Sequence, residues 1–180
     1  MPTMQEGALM EAERKDMAMS IGLLILRLGI GGFLLTHGWG KLQMLLAGGA
    51  KNFGDPIGLG ATLSLALVTT SEFLCALLIL LGLATRLAAL PVVISMSVAA
   101  FVIHARDPWT METAAMAFFS GASKTWFSKE PALLYLIPFL SLVFTGGGKL
   151  SLDGLIARRR KKRQTVVQLE FEQREKRAAA

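Results

Sequence analysis

Cysteine and histidine are scarce in this 180-residue chain, which contains one cysteine and two histidines. A single cysteine, Cys75, excludes an intrachain disulfide and any cysteine-based metal cluster. Two histidines fall short of the three or four protein ligands of a zinc site, and an HExxH motif is absent. Charged residues make up only 18% of the chain, against about a quarter in an average soluble domain. The shortage of charge argues against an ordinary soluble fold.

Apolar residues dominate instead, at 53% of the chain, with a mean hydropathy of +0.51. A helix rises ~1.5 Å per residue, so about 20 apolar residues cross the ~30 Å hydrocarbon core of a bilayer. Four runs approach this length, although the last is short and contains Pro138. We therefore predict an all-α, polytopic membrane protein built as a four-helix bundle, with spans at residues 17–36, 61–84, 87–103 and 131–144.

Lysine and arginine predict how these spans are oriented. Arg86, between the second and third spans, and six consecutive basic residues at 158–163 lie on the same side as both termini. Because basic residues next to spans are retained in the cytoplasm, we predict that both termini are cytoplasmic. The net charge of +6 then reflects membrane topology, and no nucleic-acid partner is expected.

The chain is predicted to divide into three segments: a cytoplasmic N-terminal segment at residues 1–16, a transmembrane domain at 17–156 and a basic cytoplasmic tail at 157–180. The first segment lacks the short apolar core and the cleavage site of a signal peptide. The basic start of the tail is typical of a stop-transfer signal and could attract anionic lipid. The rest of the tail is either a charged helix or disordered.

Two charged residues, Arg27 and Glu72, lie near the centres of the first and second spans. A lone charge at that depth costs at least ~2.5–3.5 kcal/mol on insertion scales. Because the two spans are antiparallel, we expect Arg27 and Glu72 to face and neutralise each other. The pair is either a device that fixes helix register or an intramembrane proton or substrate site, and the two interpretations are compatible. Close helix packing around the pair is predicted from a stripe of small residues: Gly29, Gly32, Thr36 and Gly40.

The outer end of the predicted bundle carries both histidines. His37 and Lys41 are four residues apart and share a face if the first helix continues past its apolar run. His104 ends the third span at the same depth. With Asp55 and Asp107 in the outward loops, these residues are expected to line a polar pocket, in which a histidine can carry protons near neutral pH. The alternative is that they are ordinary interfacial groups.

Other chemistries fit this pattern less well. Haem ligation by two histidines has the minimum number of ligands but no further haem signature, so we do not favour it. The glycines at 38–40 and 146–148 lack the spacing of a phosphate-binding loop. The candidate catalytic residues are therefore Arg27, His37, Lys41, Glu72 and His104, with no metal site.

Several of these residues stand in motifs that together resemble the DoxX family of membrane proteins. The chain is similar to that family in Arg27 followed by HGWGKL at 37–42, and in Glu72 followed by LLGLATR at 80–86. The similarity continues through Met96, His104, EPALLY at 130–135 and the closing segment GGGKLSLD at 146–153. It covers about residues 21–156. One departure is that Cys75 and Ala76 stand where the family often has glycine.

The resemblance implies a four-helix inner-membrane protein with a redox association. From it we expect a subunit of a quinone-linked redox or oxidative-stress membrane complex, in contact with membrane lipid and with soluble redox proteins, either alone or as a homo-oligomer. A quinone is the expected ligand. The rival hypotheses are a small proton-coupled transporter and a non-catalytic membrane scaffold whose tail recruits a soluble partner. The resemblance also adds Arg86, Ser151 and Asp153 as matching positions, although Ser151 and Asp153 could instead cap a helix.

Overall fold

The computed structural model describes residues 4–178 and is helical, with no β-strand in that range. Residues 1–3 of the predicted N-terminal segment and 179–180 of the predicted tail lie outside the described residues. A one-turn helix, Gly49–Asn52, follows the first helix. The main helices are α1 (Met4–Leu46), α2 (Ala61–Leu81), α3 (Thr85–Ile103), α4 (Met111–Phe119), α5 (Glu130–Thr145) and α6 (Leu152–Ala178).

Three of these helices, α1, α2 and α3, are long and apolar enough to cross a bilayer. The 16 residues of α5 span about 24 Å, less than the hydrocarbon core. The prediction of a helical membrane protein is confirmed in fold class. The α1 helix extends well beyond residues 17–36 in both directions because its flanks are rich in Met, Glu, Ala, Leu and Lys, which favour helix. His37 and Lys41 therefore lie one turn apart on a continuous helix.

The core forms where α1, α2, α3 and α5 meet. The most extensive contact is between α1 and α2, which pack side by side, and α3 packs along α5. Ala76 and Ile79 of α2 and Val92 of α3 are fully buried there, together with Phe139 of α5. By contrast, residues 157–177 of α6 are exposed along their whole length. The helix α6 therefore projects from the end of the bundle that carries both termini.

The glycines that bring α1 against α2 differ from the predicted ones. A Cβ atom at Gly29, Gly32 or Gly40 would meet nothing within 4 Å, so this side of α1 faces away from the bundle. The close approach occurs on the other side, at Gly31 and Gly38. The prediction that α2 packs against the stripe of Gly29, Gly32, Thr36 and Gly40 is therefore wrong. The buried positions of α1 repeat every seven residues instead, which is the spacing of an antiparallel helix seam: Ser20, Arg27, Gly31, Leu34 and Gly38.

Two helices contain a widened, π-helical turn. In α2 the wide segment is Thr70–Cys75, and in α3 it is Ala99–Ile103. Such turns insert an extra residue into a helix and are frequent at functional sites. The first contains Glu72, the acidic residue of α2, and the second ends one residue before His104. Both wide turns therefore occur at predicted site residues.

Candidate functional site

Glu72 lies in the wide turn of α2, where it faces the interior of the bundle and is only 5% exposed. The backbone of α1 comes close to it at Gly38. A Cβ atom at Gly38 would lie 2.4 Å from the carbonyl carbon and oxygen of Glu72. Trp39 of α1 and Phe73 of α2 pack beside this contact, with ring centroids 5.9 Å apart. The two helices are therefore in backbone contact at the level of the buried carboxylate.

The partner of Glu72 is Lys41. The Lys41 Nζ atom donates a hydrogen bond to Glu72 Oε2 and forms an ion pair with it. The side chain of Lys41 is 26% exposed, whereas that of Glu72 is 7% exposed. A buried carboxylate needs such a partner, because an unpaired charge in a medium of low dielectric is very unfavourable. The pair is accessible only from the side of the lysine.

Arg27 does not meet Glu72, so the predicted Arg27–Glu72 pair is wrong. Arg27 Nη2 donates to the carbonyl oxygen of Leu150 at 2.6 Å, and Nη1 donates to that of Ile79 at 3.3 Å. The reason is helix register: α1 meets Glu72 at position 38. That position is eleven residues (38 − 27) from Arg27, or about 16 Å along the helix axis. Arg27 and Glu72 are at similar distances from the ends of their apolar runs, but they do not lie at the same depth in the bundle. The reason is that α1 is much longer than its apolar run.

Tyr135 connects the Glu72 pair to the outside of the bundle. It is the only tyrosine in the chain, and it lies on α5 near Glu72. Its ring meets that of His37 edge to face, with centroids 6.1 Å apart, and stacks on Phe139 at 6.4 Å. His37 itself is exposed. Glu72, Lys41, Tyr135 and His37 therefore form one cluster, which we call the Glu72 cluster.

His104 belongs to a different group of residues in the connection between α3 and α5. Its Nδ1 atom lies 2.7 Å from Asp107 Oδ2, and its ring centroid is 5.9 Å from that of Phe127. Beside them, the buried ammonium of Lys129 donates to the carbonyl oxygens of Ala105 and Asp107. Within residues 4–178 no hydrogen bond or ring contact joins His104 to the Glu72 cluster. The structure therefore brings together three of the five predicted catalytic residues, His37, Lys41 and Glu72.

Asp55 has a structural role in the connection between α1 and α2. It accepts hydrogen bonds from the amides of Leu59 (2.9 Å) and Gly60 (2.7 Å) and from the hydroxyl of Ser64 (2.8 Å). These bonds hold the pKa of the Asp55 carboxyl below its usual value, and the bond from Gly60 has the largest effect. Asp55 therefore folds the loop that precedes α2, and within residues 4–178 no hydrogen bond or ion pair joins it to His37 or His104 as the predicted common pocket required.

Arg27 takes part in a polar network at the opposite end of the bundle. Asp153 accepts hydrogen bonds from the amides of Ala84 (2.8 Å) and Thr85 (2.9 Å) and from the Thr85 hydroxyl (2.9 Å). Burial raises the pKa of Asp153, but these bonds and the charge of Arg27 outweigh it and bring that pKa below its usual value. We call Arg27, Leu150 and Asp153, with the start of α3, the terminal latch. It holds α1, α3 and the start of α6 together.

Three features of these sites escaped sequence reasoning. Asp153 caps α3, not the helix in which it lies, whereas Ser151 caps α6 as one interpretation predicted, accepting from the amide of Gly154 at 3.0 Å. Tyr135 carried a signal, since a lone tyrosine in an apolar helix usually has a partner for its hydroxyl. Gly38 carried none that distinguishes it from its neighbouring glycines.

Within residues 4–178, no three His, Cys, Asp or Glu side chains converge as ligands for a metal ion. The Glu72 cluster instead brings a carboxylate, an ammonium, a phenol and an imidazole close to one another. These groups can donate and accept hydrogen bonds and transfer protons. The arrangement is therefore suited to proton-coupled chemistry on a small polar group.

Comparison with known proteins supports the resemblance seen in the motifs. The DoxX family model matches residues 22–105, a range that contains Arg27, Lys41, Glu72 and His104. An uncharacterized protein of Haemophilus influenzae is 31% identical over 134 residues, which cover 73% of this chain and 87% of that protein. No solved structure matches the chain. With its apolar helices and these matches, the chain is an integral membrane protein of the DoxX family.

Proposed function

We propose that this protein is a quinone-linked redox subunit of the inner membrane, with four spans and both termini in the cytoplasm. In this arrangement α1, α2 and α3 cross the bilayer, and α5 is the fourth span, extended by polar residues at its ends. The terminal latch and the basic residues 158–163 lie on the cytoplasmic side, as the distribution of lysine and arginine favours. The Glu72 cluster then lies nearer the outer face.

The observation that supports this function best is the path from buried Glu72 to exposed His37. A quinone dissolved in lipid can reach His37 laterally, since α1 and α5 contact each other at few positions. A quinone carbonyl is a hydrogen-bond acceptor, and the imidazole of His37, the phenol of Tyr135 and the ammonium of Lys41 are donors. A few polar groups that converge on a ligand in this way would fix the orientation of its head group.

The chemistry would be reduction of the quinone to a hydroquinone. The quinone takes up two electrons from a soluble redox protein partner and two protons, one for each carbonyl oxygen. His37 is suited to deliver a proton because an imidazole can both donate and accept one. Glu72 and Lys41 would balance the charge that develops on the ring, and Glu72 would exchange a proton through Tyr135.

The test is quinone reduction by inverted membrane vesicles that contain the protein together with its native partners. Glu72→Gln and His37→Ala should each lower the rate about 100-fold or more, in the range of general acid–base contributions. Lys51→Gln is the matched control, because Lys51 is an exposed lysine beyond the end of α1. Unchanged rates in both site variants, with normal protein levels, would exclude the function.

Proton-coupled transport is a second candidate, favoured by the partly exposed lysine on a buried carboxylate. In a transporter the Lys41–Glu72 pair would open and close as Glu72 changes its protonation, which is a common use of intramembrane acids. Liposomes that contain the purified protein would then become acidic inside, and this acidification would depend on Glu72. Flux without any effect on quinone reduction would favour transport. An effect of removing residues 157–180 alone would favour a scaffold that recruits a partner.

A further inference from the structure

A cavity of about 350 Å³ lies beside the terminal latch, far from the Glu72 cluster. Its walls are formed by the first residues of α3, the glycine loop at 146–148 and the first turns of α6. Arg86 and Leu87 provide the side of the cavity that belongs to α3. Because Arg86, Leu87 and Ala157 in its walls are exposed, the cavity opens to the outside of the bundle.

Arg86 gives this cavity a positive charge that forms no ion pair with any described residue, and Asp153 is the acidic residue in the cavity wall. Its Nε atom would lie 3.1 Å from a Cβ atom at Gly146, so the guanidinium group runs along the glycine loop. Among residues 4–178 Arg86 has no ion pair or hydrogen bond from its side chain. The acidic residue in the wall, Asp153, already has both oxygens occupied by Ala84 and Thr85. The guanidinium is therefore free to bind an anion.

The basic residues 158–163 stand next to the same cavity. They begin directly after Ala157, which lines it, and Arg158 Nη2 donates to the carbonyl oxygen of Lys149 at 3.1 Å. In the described part of the chain no ion pair involves any of these six residues. Leu87, which also lines the cavity, is 70% exposed, and Leu155 is 43% exposed. The site thus combines unpaired cations with apolar side chains at the edge of the bilayer.

We propose that this cavity binds the head group of an anionic phospholipid. The planar guanidinium of Arg86 matches the phosphate oxygens, and the glycine loop beside it adds no side chain of its own to the cavity wall. The basic residues at 158–163 add positive charge next to the phosphate. The acyl chains run along Leu87 and the lipid-facing side of α3. Basic pockets between helices at the cytoplasmic side and basic clusters next to a span both attract such lipids.

The test uses the full chain in detergent, to which phosphatidylglycerol or phosphatidylcholine is added. Phosphatidylglycerol should remain bound in native mass spectrometry and raise the apparent Tm, because it binds the folded protein. Arg86→Gln should weaken this binding about fivefold, from the ~1 kcal/mol that one basic residue contributes near an anionic surface. Arg106→Gln is the matched control: it removes an exposed arginine in the connection that follows α3.

Two results would overturn the proposal. Equal binding of phosphatidylglycerol by the Arg86→Gln and Arg106→Gln variants would show that the cavity is not the site. An equal rise in Tm with inorganic phosphate would show that the site takes a soluble anion and not a lipid. A variant with Arg159→Gln and Arg163→Gln separates the cavity from the basic run, since the proposal expects a further loss of binding when it is combined with Arg86→Gln.

Discussion

Gly38 of α1 touches the backbone of Glu72 in α2, and no larger residue fits between them. A single methyl group at this position would lie 2.4 Å from the carbonyl carbon and oxygen of Glu72 and 2.5 Å from the amide nitrogen of Phe73. Backbone atoms cannot rotate out of the way as a flexible side chain can. The contact therefore fixes the depth at which α1 presents Lys41 to the carboxylate.

Gly38→Ala should separate α1 from α2 and destabilise the protein by about 3 kcal/mol or more, at the upper end of the cost of overpacking. Thermal unfolding in detergent at one scan rate measures the effect as a lower apparent Tm. Gly40→Ala is the control, because a Cβ atom at Gly40 meets nothing within 4 Å. Equal Tm values for the two variants would contradict the packing described here.

Gly82→Ala should weaken the terminal latch. Gly82 has a φ of +68°, and a Cβ atom there would lie 2.0 Å from Arg27 Nη1, so the guanidinium would have to leave its carbonyl acceptors. Gly121→Ala matches the backbone strain without the clash, since Gly121 has a φ of +77° and open space around it. We expect the Gly82 variant to cost at least about 2 kcal/mol more than the control, because a buried charge loses its partners. Stability measured by denaturant titration in micelles decides between them.

Lys41 and Glu72 should be energetically coupled, and Arg27 and Glu72 should not. In a double-mutant cycle with Lys41→Met and Glu72→Gln, we expect a coupling energy of about 2 kcal/mol, since the side chains are in direct contact. With Arg27→Leu in place of Lys41→Met, the effects should add within about 0.5 kcal/mol, as they do for separated sites. Coupling of Arg27 to Glu72 comparable to that of Lys41 would restore the pair predicted from the sequence.

Asp153 should make stability fall at acid pH. Its pKa in the folded protein is below the usual value, so its contribution is complete above the unfolded pKa of about 3.9 and is lost as the pH falls through the lower folded value. In Asp153→Asn this loss is absent, so its Tm should decline less between neutral pH and about pH 3. Glu112→Gln, which changes an exposed carboxylate of α4, should decline as the unaltered protein does.

Hydropathy was sufficient to predict the three helices that are long and apolar enough to cross a membrane. The predicted second and third spans, 61–84 and 87–103, differ from α2 and α3 by no more than three residues at either end. The turn between them was predicted near Thr85–Arg86, and it lies just before these residues, at 82–84. These results follow from the strong contrast between a run of leucine and valine and the flanking Gly, Thr and Arg residues, which marks where a helix leaves the apolar part of the bilayer.

Helix register and helix faces were not predictable in the same way. In a membrane the surface that meets lipid is as apolar as the surface that meets another helix, so hydropathy does not distinguish Gly32 from Gly31. Nor does hydropathy fix the offset of α1 along the axis of α2, which decides whether Arg27 lies at the level of Glu72 or of Ile79. Contacts such as Arg27 with Leu150 connect residues 123 positions apart, and no local pattern in the sequence records them.

The terminal latch also has a consequence for the order in which the protein assembles during synthesis. Arg27 enters the membrane with the first helix, yet one of its two carbonyl acceptors, that of Leu150, is synthesised 123 residues later. The amides at the start of α3 likewise await the carboxylate of Asp153, 68 residues further along the chain. Until those residues leave the ribosome, the guanidinium of Arg27 lacks one of its two carbonyl acceptors. The latch can therefore form only after Leu150 and Asp153 have been synthesised.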